Sequence, residues 1–350
     1  MMMAIQNMTT TVHPDLVIDD PLRSKIIGAC LAIFGNMFIS VAMNVQKHAH
    51  NQLAISGKFY LTDCTWWCGM ALMAIGELGN FSAYGFAPAS LVAPLGSSGV
   101  IINSFIAVIF LKEKIRLRDV IGIVWAILGG YLIVNFSQSK AHLLDAQQVV
   151  FYLRQYAFII YVIIEINILL FIVYLHHYKN YRTAVTILLQ VALLGSFTVI
   201  AAKALSSMLR ITFRGTKQLV YPMFYVMLAI MAVSIVGQIK YLNEAMAAFD
   251  ATVVMPINFI LFTISAILSG IVFYREFYQL TFMQVALSLF GATLSFLGVY
   301  LICGGRESKE DSENENTGLL NGESPIATNE SEIQMKDVSD TEPGIVSDSK

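Results

Sequence analysis

The chain has 350 residues, of which 56% are hydrophobic and 13% charged, and its mean hydropathy is +0.65. A soluble globular domain is excluded by those figures, and an integral membrane protein is implied. The formal net charge of −2 conceals an asymmetry, because Arg306 to Lys350 carries 4 basic and 12 acidic residues while the remainder carries 18 and 12.

Residues 1–25 form a polar N-terminal segment containing the sequon Asn7-Met8-Thr9, which predicts glycosylation at Asn7 if that end is lumenal. They lack the basic region and apolar core of a cleavable signal, so the first span is expected to serve as its own insertion signal. Apolar runs long enough to cross a bilayer follow at 26–46, 65–85, 88–111, 119–137, 155–175, 184–205, 221–241, 251–273 and 282–303. The fold expected is therefore an all-α polytopic membrane protein of about nine transmembrane helices. Lysine and arginine cluster after spans one, three, five and nine, which predicts the N-terminus outside and the C-terminus cytosolic.

Within span two, Glu77 and Asn80 lie one helical turn apart. A carboxylate in an apolar span is costly unless it faces protein or water, so it is a functional candidate by default. Together the pair offers the hard oxygen ligands that Mg²⁺ prefers; the structural alternative is a protonated carboxyl holding a neighbouring helix. Pro88 and Pro94 follow, removing backbone donors and freeing carbonyls, before an apolar run that ends at Lys112-Glu113-Lys114.

Spans three and four resemble spans eight and nine. Pro94, Lys112-Glu113 and Gly129-Gly130-Tyr131-Leu132-Ile133 recur as Pro256, Arg275-Glu276 and Gly298-Val299-Tyr300-Leu301-Ile302. The copies lie five spans apart, an odd number, so they cross in opposite directions. Inverted repeats of this kind, here with halves at 26–137 and 155–303, typify secondary transporters, which hold substrate near the midplane at helices interrupted by Pro or Gly.

The strings Trp66-Trp67-Cys68-Gly69, Gly76-Glu77-Leu78-Gly79-Asn80 through Phe86-Ala87-Pro88-Ala89-Ser90-Leu91-Val92-Ala93-Pro94-Leu95-Gly96, and Lys112-Glu113-Lys114 resemble the signature of the NIPA and NIPA-like magnesium transporter family. That family is related to the drug/metabolite transporter superfamily. The resemblance extends more weakly over Ala202-Lys203-Ala204-Leu205, Gln238 to Ala245, and Pro256. It implies a nine-span carrier of Mg²⁺, and of other divalent cations, at the plasma membrane and endosomes. The first span departs from the serine-rich, twin-lysine pattern of typical members, reading Ser40-Val41-Ala42-Met43-Asn44-Val45-Gln46-Lys47-His48, which is closer to the NIPA-like branch.

As ion ligands the sequence offers Glu77, Asn80, Glu165 and Asn44. As pathway residues it offers Pro88, Pro94, Asn103, Lys203, Gln238, Pro256 and Asn258. Amides in transmembrane helices more often make packing hydrogen bonds, and Lys203 reads either as a counter-ion to Glu77 or Glu165 or as a side chain snorkelling to the headgroups. The cysteines Cys30, Cys64, Cys68 and Cys303 read as small packing residues, and His48, His50, His176 and His177 as interfacial.

The chain carries no nucleophile elbow, Walker loop, GxGxxG or H-E-x-x-H, so the reading is not an enzyme. No permanently bound cofactor and no nucleic-acid partner is implied, the partners expected being the cation substrate and the lipid bilayer. The acidic 304–350 tail reads as disordered and cytosolic. In it Glu315 with Leu319 and Leu320 resembles the acidic dileucine signal that clathrin adaptors read. An organic-metabolite exchanger of the same superfamily, and an endosomal protein whose tail recruits trafficking partners, stand as alternatives.

Overall fold

The computed structural model describes residues 20–56, 63–110, 116–137, 143–179, 182–249, 251–278 and 280–320. Asn7, Lys112-Glu113-Lys114 and the region beyond Leu320 lie outside them. The described chain is helical throughout: α1 Pro21–Ser56, α2 Cys64–Phe86, α3 Ala89–Val92, a 3₁₀ turn Pro94–Gly96, α4 Ser97–Phe110, α5 Leu117–Phe136, α6 Ala146–Leu153, α7 Tyr156–Tyr178, α8 Ala184–Phe213, α9 Pro222–Ala248, α10 Ala251–Tyr274 and α11 Phe282–Leu320. Up to Cys303 the chain forms one compact unit, and Gly304 onwards forms another.

Among the described residues eight helical segments are long and apolar enough to cross a membrane. The sequence reading counts nine, and the difference is α2. Its 23 residues span about 35 Å at 1.5 Å per residue, enough for a bilayer. Glu77, Asn80 and its glycines dilute the hydropathy of α2.

Glycines bring α1 and α2 together. A Cβ added at Gly76 would lie 2.7 Å from the Gly35 carbonyl, and one at Gly35 would lie 2.8 Å from the Gly76 carbonyl. Close backbone approach through small residues drives helix association in lipid, where hydrophobicity gives no preference for protein over acyl chain.

The third span is broken. Pro88, in an extended conformation, heads the four-residue α3, and Pro94 opens the 3₁₀ turn that leads into α4. Irregular backbone at such depth is tolerated where protein buries it, and Pro88 to Leu95 are buried. Pro256, the counterpart expected to interrupt span eight, does not: it sits inside continuous α10. Five helical residues precede it, so the proline sits near the start of the helix rather than at its middle.

The inverted repeat is visible where α5 packs on α11. A Cβ at Gly298 would lie 2.6 Å from the Gly122 carbonyl and 2.8 Å from the Ala126 Cβ; one at Gly122 would lie 2.8 Å from the Gly298 carbonyl and 2.9 Å from the Ile302 side chain. Gly291 meets the Gly129 carbonyl, Leu132 and Ile133 in the same way that Gly122 meets Gly298, Leu301 and Ile302. Every residue of one set is matched by the residue 169 positions later in the other, so the contacts exchange under a two-fold operation. The paired segments run antiparallel, which places that axis across the helices, in the plane of a membrane they span.

α8 is the most buried long span, packed on α2, α9 and α10 through Ala201, Ala202, Ala204, Ser206 and Ser207. α7 is peripheral, showing Ile159, Ile160, Ile163, Ile164, Leu170 and Phe171 on its outer surface. α11 is helical in backbone as far as Leu320, which includes Glu315 and Leu319.

Candidate functional site

Asn36, Ser40 and Asn44 recur every four residues and so form one face of α1. That face meets α2 and α4. The Asn80 amide donates to the Asn36 Oδ1 at 3.4 Å, Ser40 donates to the Gly99 carbonyl at 2.9 Å, and Asn44 donates to the Asn103 Oδ1 at 2.8 Å. The result is a polar ladder along a three-helix seam. It runs from mid-span at Asn36 and Asn80 to the end where α1 leaves and α2 begins. Two of its rungs, Asn44 and Asn103, were expected as separate candidates; Asn36 and Ser40 were missed, although their four-residue spacing with Asn44 was readable.

Glu77 lies beside the deep end of the ladder. It occupies the sector of α2 that continues into Phe81 and Tyr84, both packed against the buried core, and is a quarter-turn or more away from Leu78 and Ile75 on the outer face. Both Glu77 and Glu165 sit within apolar helices. Yet Glu165 is 3% exposed, whereas Glu77 keeps an exposed side chain. Glu77 is thus an exposed carboxylate in an apolar helix, next to the deep end of the ladder. Asn80, one turn on, turns toward α1 and contributes its amide to that ladder.

The opposite end is sealed. Glu276, on the turn after α10, is 1% exposed, and its carboxylate accepts three hydrogen bonds. Its Oε1 accepts from the Lys203 ammonium at 2.5 Å and from the Ala89 N–H at 2.7 Å, and its Oε2 accepts from the Ser90 N–H at 2.9 Å. Burial pushes the Glu276 carboxyl up, but Lys203 and the Ser90 main-chain amide outweigh it and hold the group below the usual carboxylate range. Lys203 also stands 4.1 Å over the Tyr274 ring, and the Tyr274 hydroxyl donates to the Ile200 carbonyl at 2.6 Å. Nearby, Arg210 donates to the Gly85 carbonyl and to Ser24, each at 2.9 Å, and Lys25 donates to the Ser137 carbonyl at 2.7 Å.

This corrects the sequence reading of Lys203. The residue is 4% exposed, so it does not snorkel, and its carboxylate is Glu276 rather than Glu77 or Glu165. Glu276 was missed because Arg275-Glu276 reads as an ordinary charged turn; the turn curls inward through Arg275, whose φ is 52°.

The other candidates are placed apart from Glu77. Glu165 on α7 is buried against α8 and accepts from the Ser196 hydroxyl, and none of its contacts is shared with Glu77. Gln238 donates to Thr198 at 2.6 Å, a packing bond between α9 and α8. The Asn258 Oδ1 is buried with no hydrogen-bond partner among the described residues. His176, expected at an interface, is fully buried, 3.1 Å from Gln190 and 2.9 Å from Glu244, with His177 stacked on it. Pro88 and Pro94 form the break that Glu276 clasps.

A family model described as "Magnesium transporter NIPA" matches residues 23–308. The chain belongs to the NIPA magnesium transporter family. That is a family of transporters, not enzymes. Over 286 residues the chain is 45% identical to the human NIPA-like protein 2, covering 81% of this chain and 75% of the relative. It is 30% identical over 286 residues to the Arabidopsis thaliana probable magnesium transporter NIPA4, covering 79% and 83%, and 28% identical over 288 residues to the Pongo abelii magnesium transporter NIPA3, covering 80% and 70%. No solved structure matches. The NIPA match takes in the ladder, Glu77, Lys203 and Glu276, and leaves out Asn7 and the Glu315 to Leu320 segment.

Proposed function

We propose that the protein carries Mg²⁺ across a membrane, with Glu77 as the charged ligand, Asn80 and Asn36 beside it, and the Ser40, Asn44, Asn103 ladder as the approach. The observation that carries this reading is Glu77 itself, an exposed carboxylate within an apolar helix beside a line of amide and hydroxyl oxygens. Mg²⁺ dehydrates reluctantly and keeps several waters, so one carboxylate with a few neutral oxygens suits it better than a dense acidic cage. The imbalance of basic residues among the loops orients the ladder's open end toward the cytosol and the Glu276 end outward.

Two other readings are weaker. An exchanger of organic anions needs a free cation in the pathway; Lys203, the residue available for that, is bound to Glu276. A purely trafficking role rests on the dileucine-like Glu315, Leu319, Leu320 segment, which we assign to placing the transporter at the plasma membrane and endosomes through clathrin adaptors. Uptake into liposomes, unmodified protein beside Glu77→Gln, with Mg²⁺, Sr²⁺, Co²⁺ and a metabolite panel, tests the assignment. The Gln variant should lose at least about 90% of Mg²⁺ uptake, in line with losing a charge-assisted ligand; uptake at the unmodified rate removes Glu77 from the site.

A further inference from the structure

We propose that Glu276 and Lys203, with the backbone amides of Ala89 and Ser90, are the gate that closes the far end of the pathway, and that this gate opens in each transport cycle. The inference rests on the carrier reading above and goes beyond it by naming the contact that must break. At the end of the bundle away from the ladder, Ala87, Ala89, Leu91, Val92 and Leu95 are buried. A cation that enters by the ladder leaves only if that end parts.

The Glu276 clasp joins the two halves of the molecule. Ala89 and Ser90 belong to the first repeat; Lys203 and Glu276 belong to the second. Rocking of one repeat against the other, the motion an inverted-repeat carrier uses, separates this carboxylate from the amides it holds. The seat is also built for it. A side chain at Gly270 would place its Cβ 2.7 Å from the Glu276 Oε2, and Arg275 takes a left-handed backbone conformation to aim the next residue inward. A buried ion pair adds little net stability over an apolar contact of the same volume. Charge and amides that exchange for water on opening suit two alternating states better than fixed apolar packing does.

The Ser90 Oγ is buried beneath the clasp with no hydrogen-bond partner among the described residues, so Ser90→Cys is a reporter that disturbs little. With Cys30, Cys64, Cys68 and Cys303 changed to Ser, a membrane-impermeant maleimide is applied to intact cells and to inside-out vesicles while Mg²⁺ uptake is followed in the same preparations. The reporter should be labelled from one side only, during uptake at 37 °C and hardly at all at 4 °C. Adding Glu276→Gln should speed labelling about ten-fold, the weight of a charge-assisted bond, whereas Lys203→Arg should label at the parent rate. If the parent takes up Mg²⁺ while Cys at position 90 stays protected throughout, the gate is wrong and the carrier reading stands. If the unmodified protein takes up no Mg²⁺, the carrier reading fails and the gate with it. The parent's labelling during turnover decides the matter even where Glu276→Gln does not reach the membrane.

Discussion

Glu77 and Glu276 are both carboxylates among apolar helices, and what surrounds each decides its use. Glu276 has its oxygens filled by an ammonium and two amides; Glu77 is left accessible. Removing Lys203 therefore strands a buried charge, which costs about 3–5 kcal/mol, while removing both partners costs less. Lys203→Met should lower the melting temperature in detergent more than the Lys203→Met, Glu276→Gln double variant does, and the reverse order would show that the pair is not coupled. The pH dependence follows from the direction of the shift. A carboxyl held below its ordinary value of 4.5 stabilises the fold fully above that value and loses the contribution as pH falls through its lower folded value. From Glu276 alone, stability should stay level between about pH 6 and 8 and fall only in strong acid, and Glu276→Gln should remove that acid limb from a melting-temperature profile. Asn36 enters the proposed site in another way. Asn36→Ala removes a neutral oxygen while leaving the Glu77 charge, so it should raise the KM for Mg²⁺ several-fold with a smaller change in maximal rate; an unchanged KM would return Asn36 to a packing role.

At the scale of elements, the spans, the repeat and the Glu77 helix were legible because they leave periodic or compositional marks. The pairing of α5 with α11 is written in G-x-Y-L-I at both ends, since helices approach this closely only where side chains vanish. The clasp was not legible, because its donors include the main-chain amides of Ala89 and Ser90, which no side-chain pattern announces, and its carboxylate lies 186 residues or more away in sequence. Nor was the contrast between Pro94 and Pro256: the same residue breaks one span and rides within the other, and position in the helix decides which. The two-fold seam makes a symmetric prediction. Gly122→Ala and Gly298→Ala force the same pair of backbones apart and should each cost about 1–3 kcal/mol of stability by overpacking, with nearly equal losses of melting temperature. Gly304→Ala meets nothing within 4 Å and should be close to silent. Unequal losses at Gly122 and Gly298 would mean that the two halves do not carry the seam alike.

For the molecule as a whole, the charge of the loaded site decides what drives it. Of the carboxylates Glu77, Glu165 and Glu276, the second is buried and accepts from the Ser196 hydroxyl and the third is paired with Lys203, so Glu77 is the one proposed to meet the ion. Mg²⁺ on one carboxylate leaves a net positive charge, so a carrier built this way moves charge across the membrane with its substrate. A negative-inside potential of 100 mV is then worth about 4.6 kcal/mol per divalent ion, twice the figure for a single charge, or on the order of a thousand-fold in accumulation. In liposomes whose potential is clamped with K⁺ and valinomycin, Mg²⁺ accumulation should climb steeply as the interior is made negative and should persist in protein truncated after Gly305, because every residue proposed for the pathway precedes that point. Accumulation indifferent to the clamp would mean that each Mg²⁺ is balanced by outward-moving positive charge such as protons, and the search would turn to a second titratable site, with the buried His176, 2.9 Å from Glu244, as the first place to look.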